Sequence, residues 1–568
     1  MDAVPLIEVD GLTFSYRTAT IPALTDVSLV VRPGEVVLVA GPSGCGKSTL
    51  VRAMNGLIPH TYHGALSGGV RLDGLSVAEL PLRSVGQRVG TVLQDPARQL
   101  VASTVLGELA FGPENLGIDR TEIRGRLNRV VSQVQIGHLL ERQTDELSGG
   151  ERQLVAVAAV LMMEPAIILV DEPLANLDPA TAQRLVGLLG DLATAGTAVV
   201  MVEHRIEDVL ELRPGTVLYL DRGRTRYLGD LDGFLEAADP SAVKLPYPIV
   251  EARVLRARGA LPERSEPPVG SHGRTGEPRL AYRVVSAGYD GRRVFRDLDA
   301  TLERRHRVAI LGPNGSGKST MLKLAMALLR PWTGDVLVDG TSTAARSVAD
   351  LAAIFGYVFQ NPGQMLFAPT VDDELWFGPH NLGRGEDERA AIVTDALRRV
   401  ALDEVEGIAG RPPLSLSFGQ QKRLAIAVAL AIQPRTLLLD EPSSGQDHLN
   451  AGRFMHEVRS IEGLESIYFV THDVDLALTH ADDVILLADG RVAAQGTPAV
   501  VAADEQLWRA CHLRVTSLMR ANARWRAHTG RFMGPEALAG WVAMHDGGRM
   551  PSGGHAGEHT EDARDSRA

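Results

Sequence analysis

The stretch "VVLVAGPSGCGKSTLVRAM" (residues 36–54) decides how this chain is read. Its apolar start predicts a buried strand. The pattern G-x-x-x-x-G-K-S then runs from Gly41 to Ser48, and a helix follows. Glycines let successive backbone N–H groups curl around phosphate oxygens, and the helix N-terminus adds the positive end of its dipole. Lys47 is placed to reach the β- and γ-phosphates of a nucleotide, and the Ser48 hydroxyl to ligate Mg²⁺. One match could arise by chance in a loop. A second, "GPNGSGKST" (312–320), again between an apolar strand and a helix, supplies Lys318 and Ser319 and removes that reading.

The repeat extends well beyond the loop. "LVDEP" (169–173) returns as "LLDEP" (438–442), Gln94 returns as Gln360, and His204 as His472, all at a nearly constant interval. That interval is too long for a solenoid and implies two homologous domains. The expected boundaries are 1–240 and 281–515, joined by a linker at 241–280. Within it "LPERSEPPVGSHGRTGEPRL" (261–280) is broken by Pro, Gly and charge. Residues 516–568 form an extension. Its last part, beyond about 545, lacks apolar periodicity and reads as disordered; 515–545 is partly apolar and receives no assignment.

Bulk properties exclude several classes. The chain has 568 residues, 45% of them hydrophobic and 23% charged, so it can build ample cores. A net charge of −12 argues against a surface devoted to nucleic acid. Two distant cysteines, Cys45 and Cys511, cannot make a disulfide framework or a Cys-rich metal site. No signal peptide is seen at the N-terminus, and no apolar run is long enough to cross a membrane. His60 and His63, in "PHTYHG", lack a neighbouring carboxylate and read as surface residues.

Three further motifs carry chemistry. Each half has an apolar strand ending in Asp-Glu, "AIILVDE" and "TLLLDE". A buried strand-end aspartate is costly unless it holds a cation or partner, so Asp171 and Asp440 read as Mg²⁺-side carboxylates. Glu172 and Glu441 are then positioned to polarise an attacking water. A third strand ends in His204 ("TAVVMVEHR") and His472 ("SIYFVTHD"), which read as γ-phosphate sensors.

With "LSGGERQ" (147–153) and "LSFGQQKR" (416–423), each just before a helix, the residues resemble the nucleotide-binding domains of ABC (ATP-binding cassette) proteins. The resemblance covers both halves. It implies an α/β fold of two tandem P-loop NTPase domains, each with a mixed core sheet, an antiparallel β-subdomain and a helical signature subdomain. It implies head-to-tail packing, with the signature of one half covering the ATP of the other. One composite site would join Lys47, Ser48, Gln94, Asp171, Glu172 and His204 to Ser417 and Gly419. The second would join Lys318, Ser319, Gln360, Asp440, Glu441 and His472 to Ser148, Gly149 and Gly150. The loops themselves would bind ATP through Gly41, Pro42, Ser43, Gly44, Cys45, Gly46, Lys47, Ser48 and Thr49. Their counterparts are Gly312, Pro313, Asn314, Gly315, Ser316, Gly317, Lys318, Ser319 and Thr320. Tyr16 and Tyr289 look like the family's adenine-stacking aromatics. Mg²⁺ would be held by Ser48, Gln94 and Asp171, and by Ser319, Gln360 and Asp440. "LANLD" (174–178) and "SSGQD" (443–447) look like the loops that signal between sites; the second departs from the family pattern at Gln446.

What the ATP powers is suggested by "LQDPARQLVASTVLGELAFGPENLG" (93–117) and "FQNPGQMLFAPTVDDELWFGPHNLG" (359–383). This pattern, with "NGLIPH" (55–60), is similar to the ATPases of energy-coupling factor (ECF) transporters, which import vitamins and transition metal ions. The resemblance implies a groove for helices of a transmembrane coupling protein, a separate substrate-binding membrane subunit, and a peripheral location on the cytoplasmic face of the membrane. Met365 stands where the first half has Gln99. An ordinary ABC importer ATPase and a soluble tandem ABC protein acting on ribosomes are the competing classes. Phe418, in place of the Gly149 of the first signature, reads as asymmetry between two competent sites. Glycine would be required there only if the position needs positive φ.

Overall fold

The computed structural model describes residues 4–17, 21–174, 177, 179–240, 242–257, 278–442 and 448–545. Each half builds the same pair of sheets. In the first, a six-stranded sheet has the order Arg224–Gly229, Thr216–Asp221, Val36–Ala40, Ala198–Val202, Ile167–Asp171, Val89–Val92. All neighbours are parallel except the antiparallel edge strand Arg224–Gly229. In the second, Arg491–Gly496, Asp483–Ala488, Arg307–Leu311, Ser466–Val470, Thr436–Asp440 and Phe355–Val358 repeat that order and polarity. Strands Val36–Ala40, Ala198–Val202 and Ser466–Val470 are buried at every position, as a parallel sheet covered on both faces demands.

A four-stranded antiparallel sheet accompanies each: Leu24–Val31, Ile7–Tyr16, Gly64–Leu72 and Leu75–Ser76, and then Arg292–Glu303, Pro278–Tyr289, Thr333–Val338 and Thr341–Ser342. Helices Val105–Leu116, Arg120–Val134 and Gly149–Leu161 pack together in the first half; Val371–Asn381, Arg389–Arg399 and Phe418–Ala431 do so in the second. The mixed core sheet, antiparallel sheet and helical signature subdomain of the expected α/β fold are all present.

Part of the expected linker and the unassigned 515–545 both have a place: Ala242, Val243, Leu245 and Val250 join the core of the first half, which therefore runs past residue 240. Within 241–280, helix Tyr247–Arg256 precedes the residues outside the description. Helices Ser517–Thr529 and Pro535–His545 occupy the start of the extension. Tyr247 shares a small core with Leu518, Met533, Leu538, Ala539 and Val542, so the extension packs on the end of the first half. Most of the Pro/Gly-rich stretch 261–280, and the tail beyond 545, lie outside the described residues. So do the loop 443–447 and Ala175, Asn176 and Asp178. Among the described residues no helix is long and apolar enough to cross a membrane.

Candidate functional site

The phosphate loops, the glutamines, the Asp-Glu pairs and the histidines sit at or follow the carboxyl ends of parallel strands, the edge where open α/β sheets bind ligands. Val36–Ala40 feeds the loop at 41–46, and helix Lys47–Met54 begins on the lysine. Lys47 is buried, and its ammonium donates to the carbonyls of Gly41 (2.7 Å) and Pro42 (2.8 Å). Lys318 donates likewise to Gly312 and Pro313, both at 2.9 Å. Ser43 and Gly44, Asn314 and Gly315 complete the curled loops, with Cys45 and Ser316 buried beneath them. A β-carbon on Gly41 would run into the carbonyl oxygen of Leu220, and one on Gly312 into that of Leu487, so a side chain there would push the loop off the sheet.

At the neighbouring strand ends, Asp171 and Asp440 carry carboxyls that burial pushes up, while a serine hydroxyl bonded to each works the other way. Ser319 Oγ donates to Asp440 Oδ1 at 2.8 Å, and Tyr357 adds a second donor at 3.1 Å. Hydroxyl and carboxylate oxygens meeting beside the loop form a hard donor set that suits Mg²⁺.

Glu172 (φ 47°) and Glu441 (φ 50°) share a left-handed backbone that is uncommon for non-glycine residues and tends to collect at functional sites. Their partners differ. Gln94 donates to Glu172 Oε2 at 2.7 Å, while His204 Nδ1 stands 3.8 Å from Glu172 Oε1. In the second half His472 Nε2 lies 2.8 Å from Glu441 Oε1, and its backbone N–H donates to Oε2 at 3.1 Å. Burial works to raise the Glu441 carboxyl, but His472 and Lys318 together hold it below the usual range. The structure therefore brings Gln94, Glu172 and His204 together, and likewise Glu441 with His472. Gln360 follows strand Phe355–Val358 at the equivalent place.

Tyr16 and Tyr289 end antiparallel strands and are tied to the helix after each phosphate loop. Tyr16 Oη lies 3.2 Å from Thr49 Oγ1 and accepts from Arg52 at 2.9 Å; Tyr289 Oη lies 3.5 Å from Thr320 Oγ1. Both signatures are helix N-termini. Ser148 caps Gly149–Leu161 and Ser417 caps Phe418–Ala431, each with a reciprocal capping box, to Glu151 and Gln420. Glu151 is further held by Arg142 at 2.9 Å, so it keeps a structural job at the helix start. Phe418 is the first helical residue, so its backbone is right-handed and glycine is not demanded there. Gly150 is buried, and Gly149 and Gly419 are exposed in the same first turns.

Two residues around the glutamates were missed by sequence reasoning. Glu203 is buried beside Glu172 and accepts from the backbone N–H groups of His204 (3.2 Å) and Leu174 (3.3 Å). The second half has Thr471 at that position. Lys422, buried and bonded to the Pro442 carbonyl at 2.8 Å, faces Glu441; the first half has Gln153 there. Aligning the halves and marking charge differences would have found both. Burial, then the Glu172 charge, push Glu203 up to about 8, while burial pushes Lys422 down to about 8.

The Glu203 shift has a testable sign. Below the ordinary value of 4.5 both folded and unfolded states hold the proton, and the contribution to stability is complete. Between 4.5 and about 8 the unfolded chain releases the proton while the folded chain keeps it, so stability falls as pH rises. The loss is at most about 1.4 kcal/mol per pH unit. Urea unfolding at intervals across that range should give a falling midpoint for the native chain and a flatter profile for Glu203→Gln. An unchanged slope in the variant would mean that Glu203 is ionised in the fold.

Comparison with known proteins identifies the family. The ABC transporter family model matches residues 24–175 and again 295–444. An ABC transporter ATP-binding protein of Methanosarcina acetivorans is 34% identical over 545 residues, covering 89% of this chain and 88% of its own. One of Lactiplantibacillus plantarum is 35% identical over 542 residues, covering 91% and 95%. The solved structure of cbiO1 from Clostridium perfringens, described as part of the ABC transporter complex cbiONQ, is 32% identical with a TM-score of 0.37, covering 42% of this chain and 96% of that one. This chain belongs to the ABC transporter family, with two of the family's ATP-binding domains in tandem and ATP hydrolysis coupled to transport.

Proposed function

We propose that the chain is the ATPase of an ECF-type importer, supplying both ATP-hydrolysing domains to separate transmembrane subunits that carry a vitamin, a vitamin precursor or a transition metal ion. The observation that carries the docking part of this reading is a matched pair of exposed apolar patches. In the first half Val101, Leu106 and Phe111 are exposed; in the second Phe367 and Phe377 are, with ring centroids 4.9 Å apart edge to face. A buried glutamate builds each patch. Glu108 Oε2 accepts the N–H groups of Val101 (2.8 Å) and Ala102 (2.7 Å), and Glu374 Oε2 those of Phe367 (2.7 Å) and Ala368 (2.8 Å). The "GELAFGP" glutamate thus holds out the loop that displays the apolar side chains. The two segments also differ where the sequences do. Gln99 bonds the backbone of Leu93 and Thr91, while the Met365 sulfur accepts from Phe359 N–H at 3.2 Å. Two unlike patches suit an asymmetric partner.

Mg²⁺ would be held by Ser48, Asp171 and Gln94, and by Ser319, Asp440 and Gln360, and would neutralise charge on the phosphates. The loop N–H groups and Lys47 or Lys318 would orient the β- and γ-phosphates. Tyr16 and Tyr289 would stack on adenine. Glu172 and Glu441 would accept the proton of the attacking water, and His204 and His472 would read the γ-phosphate. Each site would close when Ser417 and Gly419, or Ser148, Gly149 and Gly150, approach from the other half.

Phe111→Asp with Phe367→Asp tests docking. A tagged native chain should sediment with membranes of its host and retain transmembrane subunits. Each aspartate should cost about 2 kcal/mol of binding, roughly thirtyfold, and move the chain to the soluble fraction. ATPase activity of the purified variant should stay within about twofold of native, since both positions are on the surface. Membrane retention unchanged by the variant, or ribosomal subunits in place of membrane proteins, would overturn the reading.

A further inference from the structure

The two halves are joined by a reciprocal pair of cations placed directly behind the two strand-end histidines. Lys244, at the end of the first half, bonds its own histidine segment through the backbone: its N–H donates to the His204 carbonyl (3.1 Å) and its carbonyl accepts from Ile206 (3.2 Å). Its ammonium crosses to the second half. There it sits 2.9 Å from Asp473 Oδ1, the residue after His472, and 2.9 Å from Asp475 Oδ2. Arg514, at the end of the second half, makes the return connection. Its guanidinium pairs with Asp208 and donates to the Glu207 carbonyl at 2.8 Å, on the turn that follows His204. Arg205, next to His204, pairs with that same Asp208 at 2.5 Å and faces Asp473.

Around these pairs the ends of the two halves lock together. Ser517 N–H donates to Glu207 Oε1 and Tyr247 N–H to Ser517 Oγ, both at 2.8 Å, and Thr516 Oγ1 donates to Asp475 at 2.6 Å. The neighbouring apolar core of Tyr247, Leu518 and Leu538 supplies adhesion. Buried ion pairs are poor adhesive, because desolvating the charges offsets much of their attraction. What they fix is register, and the register fixed here is that of one histidine segment against the other.

We propose that Lys244 and Arg514 are positioning residues that hold the His204 and His472 segments to one another, so that the two ATP sites turn over as a coupled pair. This rests on the reading of His204, His472, Glu172 and Glu441 given above. Movement of one histidine on γ-phosphate release would be transmitted through Asp473 and Lys244, or through Asp208 and Arg514, to the other.

The test is a comparison of steady-state ATPase rates in the full chain. Glu441→Gln should lower the native rate more than about tenfold, far beyond loss of one of two sites, because the intact site waits on the blocked one. In a Lys244→Met background the same change should lower the rate only about twofold, as for independent sites. Lys244→Arg should restore the native pattern, with KM for ATP unchanged throughout. Arg514→Met, at a more exposed cation, should uncouple in the same way if Lys244→Met folds poorly. Leu538→Ala, which loosens the apolar core without touching the cations, should lower the melting temperature but leave coupling native. Persistence of the tenfold effect in both Met variants, equal uncoupling by Leu538→Ala, or a mere halving in the native chain would each overturn the proposal. If Glu441→Gln changes no rate in any background, the glutamate reading itself has failed, and the coupling proposal falls with it.

Discussion

The paired substitution Glu172→Gln with Glu441→Gln is expected to lower ATP turnover about a thousandfold, close to 4 kcal/mol in the barrier, while ATP still binds. Glutamine keeps the length and hydrogen-bonding reach of glutamate and loses only its basicity. The surroundings support that choice. Gln94 donates to Glu172, and His472 holds Glu441, from positions that an amide oxygen can still satisfy. The left-handed backbone shared by both glutamates is a property of the strand end, and the substitution does not disturb it. Phosphate release by the purified chain, measured beside equilibrium ATP binding, checks the outcome. Turnover within about tenfold of native would mean that water is activated by another group.

Most of this machinery was legible in the sequence because its chemistry is local. The phosphate loop, the Asp-Glu strand end and the signature each place several functional groups within one turn of chain, and tertiary structure only has to bring the pieces to one sheet edge. The duplication helped further, since a chance match does not recur in the same order. What stayed hidden depends on residues far apart in sequence. Lys244 looks like one more lysine after a helix, and nothing near it announces Asp473 or Asp475. Arg514 and Asp208 are likewise separated by most of the second half. The extension at 517–545 has too little apolar surface to read as a domain, because it completes its core with Tyr247 of the first half. Glu203 and Lys422 were hidden differently. Each stands inside a recognised motif, where attention goes to the shared residues and passes over the one that differs.

Phe418, by contrast, stands out in the sequence because it replaces the Gly149 of the first signature. Position 418 opens a right-handed helix, and Ser417 caps that helix as Ser148 caps its own. The site that uses this signature should therefore be competent.

The second large effect follows from that equivalence. Ser417→Glu should weaken ATP binding about a hundredfold at the loop of Lys47, in the opposite half, and leave the loop of Lys318 nearly native. In the proposed composite site, the native hydroxyl and the N–H groups of the first helical turn would present positive potential to the γ-phosphate. A carboxylate at the same point replaces that with like-charge repulsion, worth about 2.7 kcal/mol once exposure is allowed for. Loss of the serine cap costs the helix about 1 kcal/mol, too little to unfold it against its buried apolar face. Ser148→Glu should give the mirror result at Lys318.

The most direct measurement is photolabelling with an azido-ATP, followed by mapping of the labelled half. The Ser417→Glu chain should lose label from the half containing Tyr16 and keep it in the half containing Tyr289, and Ser148→Glu should do the reverse. Loss of label from the substituted half itself would contradict composite sites shared between the two domains.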